Sequence, residues 1–365
     1  MMFDINKPFR DPVVINAEIE KIKSYSGRPL AIMEVCGTHT MAVMRFGIRD
    51  LLPANVRLIS GPGCPVCVTG TSYIDAACYI ATMPNTIIAT FGDLIRVPGS
   101  TASLSQLRMH GADIRTVYSP LDCIQICSDN TDKMVVFLAV GFETTIPVTA
   151  LTILKMHEQS VDNFVMLTAH KTMPAALNAL ANDKDIKIDG LMLPGHVSAI
   201  IGTEFYSEFC ARTGIPGAVT GFEPADILAA ILSIMRHCNG EIAGVDNLYS
   251  RVVKKDGNKH ALAVVNEVYE PCDAVWRGIG NIPESGLKLR KKYDHFNAVL
   301  KLNLPDFVDD ESTPCRCGEV LIGKISPVDC PLFAESCTPE NPVGACMVSS
   351  EGACAAFYRY KRDSK

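Results

Sequence analysis

Seven short apolar runs, each stopped by glycine or polar residues, constrain the fold of this chain more than any other feature. They are Pro29 to Val35, Val56 to Ser60, Asn85 to Phe91, Met134 to Val140, Phe164 to Ala169, Gly190 to Pro194 and Ala218 to Thr220. Runs of this length and composition, separated by amphipathic stretches, are the pattern of buried parallel strands alternating with helices. The expected fold class is α/β, with two Rossmann-like parallel-sheet domains and a smaller, irregular C-terminal domain. Polar SDNTDK (Ser128 to Lys133) suggests a boundary between the first two, and the alternation fades from about Asp246. The expected units are therefore residues 1–128, 129–245 and 246–365. Pro147 and Pro224 each stand just after a strand-ending GFE block and read as helix starts.

With 365 residues, 48% of them apolar, the chain can build more than one core. A net charge of −6, with no basic patch, argues against binding nucleic acid or an anionic membrane surface. The N-terminus MMFDINKPFRDP lacks the apolar stretch of a signal peptide. The most apolar segment, Met134 to Met156, is interrupted by Gly141, Glu143 and Pro147, so a strand leading into a helix fits better than a membrane span. A cytoplasmic location, with no membrane contact, is expected.

Fifteen cysteines in such a chain point to metal or redox chemistry rather than a disulfide framework. Cys78, Cys123, Cys127, Cys210, Cys238 and Cys272 lie in apolar or helical surroundings and read as small buried hydrophobes. Cys317, Cys330, Cys337 and Cys354 lie in one loop-rich stretch with the spacing C-x12-C-x6-C-x16-C. That is wider than the paired knuckles of a zinc ribbon and unlike the ferredoxin run. Four thiolates meet the ligand demand of a [4Fe–4S] cluster, and zinc or unliganded thiols are the alternatives. Either Cys315 or Cys346 could substitute for one of the four.

A second thiol group lies at the strand ends. Cys64 and Cys67 form a C-x2-C in the loop GPGCPVC, able to chelate a metal or to close a reducible disulfide. Cys36 and His39, in EVCGTHT, follow a neighbouring run. If the two strands pair, all three thiols face one crevice, because sites in such sheets form outside the carboxyl ends of the strands. His39 is open to three roles: ligand, proton donor or satisfied turn histidine. Asp93, Arg96, Glu143, His170, His196 and Glu223 are the polar groups at the other strand ends. Nucleotide and acyl-transfer signatures are absent.

EVCGTHT, GPGCPVCV, FGDLIRVPGS, GFETT, LPGHVS, GFEP, VWRGIG, CGEVLIGK, CPLF and MVSSEGACAA occur in this order. This succession closely resembles the HypD family of hydrogenase maturation factors, from about Leu30 to Tyr360. The resemblance implies a scaffold and redox protein in assembly of the Fe(CN)2CO centre of [NiFe]-hydrogenases. It implies cluster ligation by Cys317, Cys330, Cys337 and Cys354, a transient Fe(CN)2CO iron at Cys36 with His39 nearby, and a redox-active Cys64/Cys67 pair. It also implies a HypC-type chaperone and a HypE cyanide donor as partners, with the chain a monomer on its own. Cys315 and Cys346 fall outside the family pattern. His39 and Arg96 are candidate hydrogen-bond donors to the cyanides. Two rival readings use the same thiols. One is a cluster-containing thiol–disulfide oxidoreductase acting on another protein. The other is a zinc-bearing interaction protein.

Overall fold

The structure is a computed structural model and describes residues 6–183, 186–240, 244–309 and 314–360. Its strands in chain order are β1 (Leu30–Glu34), β2 (Val56–Ser60), β3 (Thr86–Thr90), β4 (Ile114–Thr116), β5 (Met134–Gly141) and β6 (Phe164–His170). They are followed by β7 (Gly190–Pro194), β8 (Gly217–Thr220), β9 (Val245–Asn247), β10 (Tyr269–Trp276) and β11 (Gly280–Leu289). Every expected run forms a strand to within two residues at either end.

Two sheets are parallel throughout. One has the order β2-β1-β7-β8-β9, the other β4-β3-β5-β6. Their central strands are buried on both faces, which explains why β1, β5 and β7 read as unbroken apolar runs. The sheet order cuts across the expected consecutive units. The chain lays down β1 and β2, leaves to build the whole second sheet, then returns with β7, β8 and β9. Each sheet takes strands from both sides of residues 128/129, so the sheets do not divide the chain at the expected boundary. Polar SDNTDK is only the link from helix Asp122–Asp129 to β5. Surface loops between paired strands have the same composition as domain linkers.

The region after residue 246 is also more regular than expected. Helix Lys259–Val268 leads into the antiparallel hairpin β10–β11, bulged between Cys272 and Ala274. Tyr269, Leu289, Tyr293 and Phe296 from this region share a core with Ile87, Val135, Phe137 and Phe164 of the second sheet. The cysteine-rich segment shares another core with Val66, Cys67, Leu138 and Leu193, which come from both sheets. The C-terminal part is thus packed against the two sheets rather than set apart. Helices Ile146–Glu158 and Pro224–Cys238 begin at the expected prolines, and Glu223 and Asp226 form a capping box on the second. No helix among the described residues is long and apolar enough to cross a membrane.

Candidate thiol and cluster site

Strands β1 and β2 are parallel neighbours, with Glu34 opposite Ser60, so Cys36 and the GPGCPVC loop leave the sheet side by side. The Gly61 N–H donates to the Glu34 carbonyl at 2.9 Å, and the Gly37 N–H to the Gly63 carbonyl at 3.1 Å. A Cβ on Gly63 would lie 2.4 Å from both Cα and N of Cys36, so only glycine lets the loop come this close. Cys64 and Cys67 are joined as a disulfide beside it.

Cys36 is the N-cap of helix Gly37–Arg45. Burial pushes its thiol up to about 12, and the nearby Glu351 carboxylate adds to the shift. The backbone N–H groups of His39 and Thr38 act the other way by stabilising the thiolate. Beneath the site, fully buried Glu34 pairs with Arg49 at 2.7 Å. Arg49 also donates to the Leu58 carbonyl and lies over the Phe357 ring at 5.0 Å.

His39 is fully buried and its Nε2 lies 2.9 Å from the Gly221 carbonyl. Burial depresses it to about 4, so the ring is neutral near pH 7, with Nε2–H donating and a bare lone pair on Nδ1. That Nδ1 has no partner. Phe222 lies between the His39 and His196 rings, at 4.7 and 4.1 Å.

The other strand-end groups divide. Asp93 accepts from Ser349 Oγ at 3.0 Å, tying the second sheet to the C-terminal segment, and Arg96 donates to the Pro339 carbonyl. Arg96 is thus engaged with that segment and not with Cys36. Glu143 is buried, accepts from the Met173 N–H, and is pushed by burial up to about 7. His170 is buried and turns to Thr149 and Tyr269. Glu223 pairs with Arg10 at the surface.

The second centre is a small pocket lined by Cys317, Cys330, Cys337 and Cys354. Cys315 and Cys346 line it too, so sequence reasoning that set them aside missed two of its six thiols. Val320, Leu332, Phe333 and Met347 make its apolar wall. Between Cys330 and Cys337 the chain doubles back through Ala334 at φ 61°, with the Cys337 N–H donating to the Leu332 carbonyl. The backbone N–H of Val343 points at Cys337 Sγ, 3.4 Å away. Among the described residues, no three metal-binding side chains already close on a single ion. The six thiols crowd one small, mostly apolar pocket, with Cys317 and Cys346 in contact with neighbouring thiols.

Two contacts join the centres. Glu351, three residues before Cys354, accepts from Thr38 Oγ1 at 2.8 Å, and its backbone lies against Gly37. At the end of β10 the Arg277 N–H donates to the Val68 carbonyl at 2.9 Å, while Gly278 packs on Gly318, next to Cys317. VWRGIG therefore bridges the disulfide loop and the six-thiol pocket. Only the isolated glycines of that motif hinted at such close backbone contact.

The sequence matches the family described as HypD, hydrogenase formation hypA family, over residues 13–361. It is 44% identical to hydrogenase maturation factor HypD2 of Bradyrhizobium diazoefficiens, over 97% of this chain and 96% of the relative. It is 45% identical to HypD of Cupriavidus necator, over 92% and 91%. It is 42% identical to HypD of Escherichia coli, over 97% of each. The chain belongs to the HypD family of hydrogenase maturation factors.

Proposed function

We propose that this chain holds the iron of the Fe(CN)2CO centre of [NiFe]-hydrogenases at Cys36 while its ligands are attached. The Cys64/Cys67 dithiol supplies electrons for that step. The observation carrying this reading is the seating of the disulfide loop on Cys36 at Gly63, in a fold that also gathers six cysteines in one pocket.

A thiolate is a soft anchor for iron with strong-field diatomic ligands. Backbone N–H groups at the start of helix Gly37–Arg45 favour that thiolate once iron displaces the proton. The Nε2–H of His39 is committed to a carbonyl, the usual arrangement that frees the other ring nitrogen as a ligand or acceptor. A HypE-type partner delivers cyanide as a thiocyanate, and a HypC-type chaperone shares the iron. Release of cyanide needs two electrons. The dithiol gives them and two protons: R–SCN plus dithiol yields R–SH, CN⁻, H⁺ and the Cys64–Cys67 disulfide.

Cys317, Cys330, Cys337 and Cys354 would hold a [4Fe–4S] cluster, which when bound supplies single electrons to the neighbouring disulfide. The protein works in the cytoplasm, where thiols are kept reduced.

The test is anaerobic purification with the partners, measuring iron, sulfide and infrared bands for wild type, Cys36→Ala and Cys337→Ala. Wild type is expected to carry a cluster plus iron with cyanide and carbonyl bands. Cys36→Ala keeps the cluster and loses the bands. Bands that survive in Cys36→Ala defeat the iron site. A bandless wild type whose disulfide still turns over on another protein returns the chain to the oxidoreductase reading.

A further inference from the structure

The turn that follows β8, Thr220 to Glu223, is the wall against which His39 sits. The Gly221 carbonyl accepts from His39 Nε2 at 2.9 Å, and the next residue, Phe222, packs on the imidazole with ring centroids 4.7 Å apart. The turn is itself fastened by a buried ion pair. Asp226, 3% exposed, takes both prongs of the Arg251 guanidinium, at 2.9 and 2.5 Å. Its Oδ2 also accepts from the Glu223 N–H at 3.3 Å, and its backbone carbonyl accepts from Thr220 Oγ1 at 2.7 Å. One residue thus grips both ends of the turn. The fit is closest in the middle: a Cβ on Gly221 would stand 2.2 Å from Asp226 Oδ2 and 2.9 Å from Arg251 Nη2. Arg251, from the segment after β9, packs on Phe9 and Tyr249, 3.7 and 4.4 Å from their ring centres. Arg10 pairs with Glu223 at the surface.

We propose that Asp226 and Arg251 are positioning residues for His39: they lock the Thr220–Glu223 turn, and the Gly221 carbonyl of that turn fixes the imidazole in the first turn of the helix that Cys36 caps. That the ring so held serves iron at Cys36 rests on the reading given under Proposed function. A ring nitrogen that donates to a backbone carbonyl has its tautomer and orientation set by that carbonyl, so whatever holds the carbonyl sets the other nitrogen too. Glycine alone leaves such a turn many conformations. A buried ion pair adds little net stability, because desolvation offsets the attraction. What a bidentate pair adds is direction, since the planar fork of arginine meets a carboxylate in one geometry. Asp226 and Arg251 follow β8 and β9, whereas Cys36 and His39 follow β1. The lock therefore carries order across the end of β7, from one side of the sheet to the other.

The experiment follows the ring N–H of His39 by proton NMR in the full-length, iron-free chain, assigned by its loss in His39→Gln. Its exchange with water is measured against that of the backbone amides of β5, in the other sheet. Wild type is expected to show a slowly exchanging downfield resonance. Asp226→Asn is expected to speed that exchange by at least about 10-fold while the β5 amides keep their rates, the mark of a local opening. Arg251→Lys keeps a charge opposite Asp226 but loses the fork, and is expected to give a smaller change of the same kind. Unchanged ring exchange in Asp226→Asn overturns the assignment. Exchange that rises equally at the ring and in β5 overturns it too, because the pair then serves the whole fold and not the turn. Should Asp226→Asn fail to fold, Arg251→Lys decides by the same comparison. In the chain loaded with its partners, Asp226→Asn is expected to lose iron and its infrared bands from Cys36 faster than wild type, with cluster iron unchanged. Equal retention despite a loosened ring overturns the link to iron. A wild type without those bands fails the parent reading instead, and the exchange result stands apart from it.

Discussion

Gly63 lies against Cys36 so closely that a Cβ on it would stand 2.4 Å from both Cα and N of the cysteine. The neighbouring atoms are backbone and cannot swing aside. Gly63→Ala is expected to push the disulfide loop off the Cys36 turn and to cost about 1–3 kcal/mol, as overpacking does. Chemical denaturation measures the loss. Gly47→Ala, where nothing lies within 4 Å, pays only for its φ of 65° and is the control.

Arg49→Met is expected to destabilise the protein by about 3 kcal/mol, because it leaves the fully buried Glu34 carboxyl, which burial already pushes up, without its partner beneath Cys36. Urea unfolding checks this. The double variant with Glu34→Gln is expected to recover much of the loss, since the buried carboxyl left unpaired is then gone. Additive losses would show that the packing of Arg49 on Phe357, not the ion pair, is what counts.

Glu143 makes a pH-dependent contribution of defined sign. Its folded value, about 7, lies above the ordinary 4.5, so the native state binds the proton more tightly. Its stabilising contribution is fully present below about 4.5 and is lost as pH rises to about 7. Glu143→Gln keeps the acceptor for Met173 and removes the titration. The difference in stability between variant and wild type is expected to change by roughly 2–3 kcal/mol across that window.

His170 acts in the opposite sense. Burial lowers it to about 3 from 6.5, so the unfolded chain takes up the proton first and stability falls as pH drops below 6.5. His170→Phe is expected to flatten the acid limb of the pH–stability curve, and to leave iron loading intact, because the ring faces Thr149 and Tyr269.

Six thiols line the C-terminal pocket, and the predicted ligands are four of them. Alanine at Cys317, Cys330, Cys337 or Cys354 is expected to abolish cluster iron and sulfide. Alanine at Cys315 or Cys346 is expected to leave about four of each per chain. Iron and sulfide assays on the six single variants decide it.

Much of this was legible in the sequence because burial on both faces leaves a strand no alternative to a continuous apolar run, as in β5 and β7. Cys36 and the C-x2-C could be assigned to neighbouring strand ends for the same reason. The short strands β4 and β9 escaped notice because IRT and VDN are too short and too polar to make such a run. Hairpin β10–β11 was obscured by Pro271 and its bulge. Sheet order was not legible, since nothing in Val56 to Ser60 says that the next strand joins another sheet. Nor was Glu351, whose role comes only from long-range contact: a glutamate in SSEG looks like an ordinary loop residue.

The excursion between β2 and β7 sets an order of events during synthesis. Cys36 emerges early, but its sheet neighbour β7 begins at residue 190, the carbonyl that fixes His39 belongs to Gly221, and the Thr38 partner is Glu351. A nascent or truncated chain therefore has the thiol without its setting. The completed fold acts as a timer: the setting of Cys36 exists only once the C-terminal segment has been made.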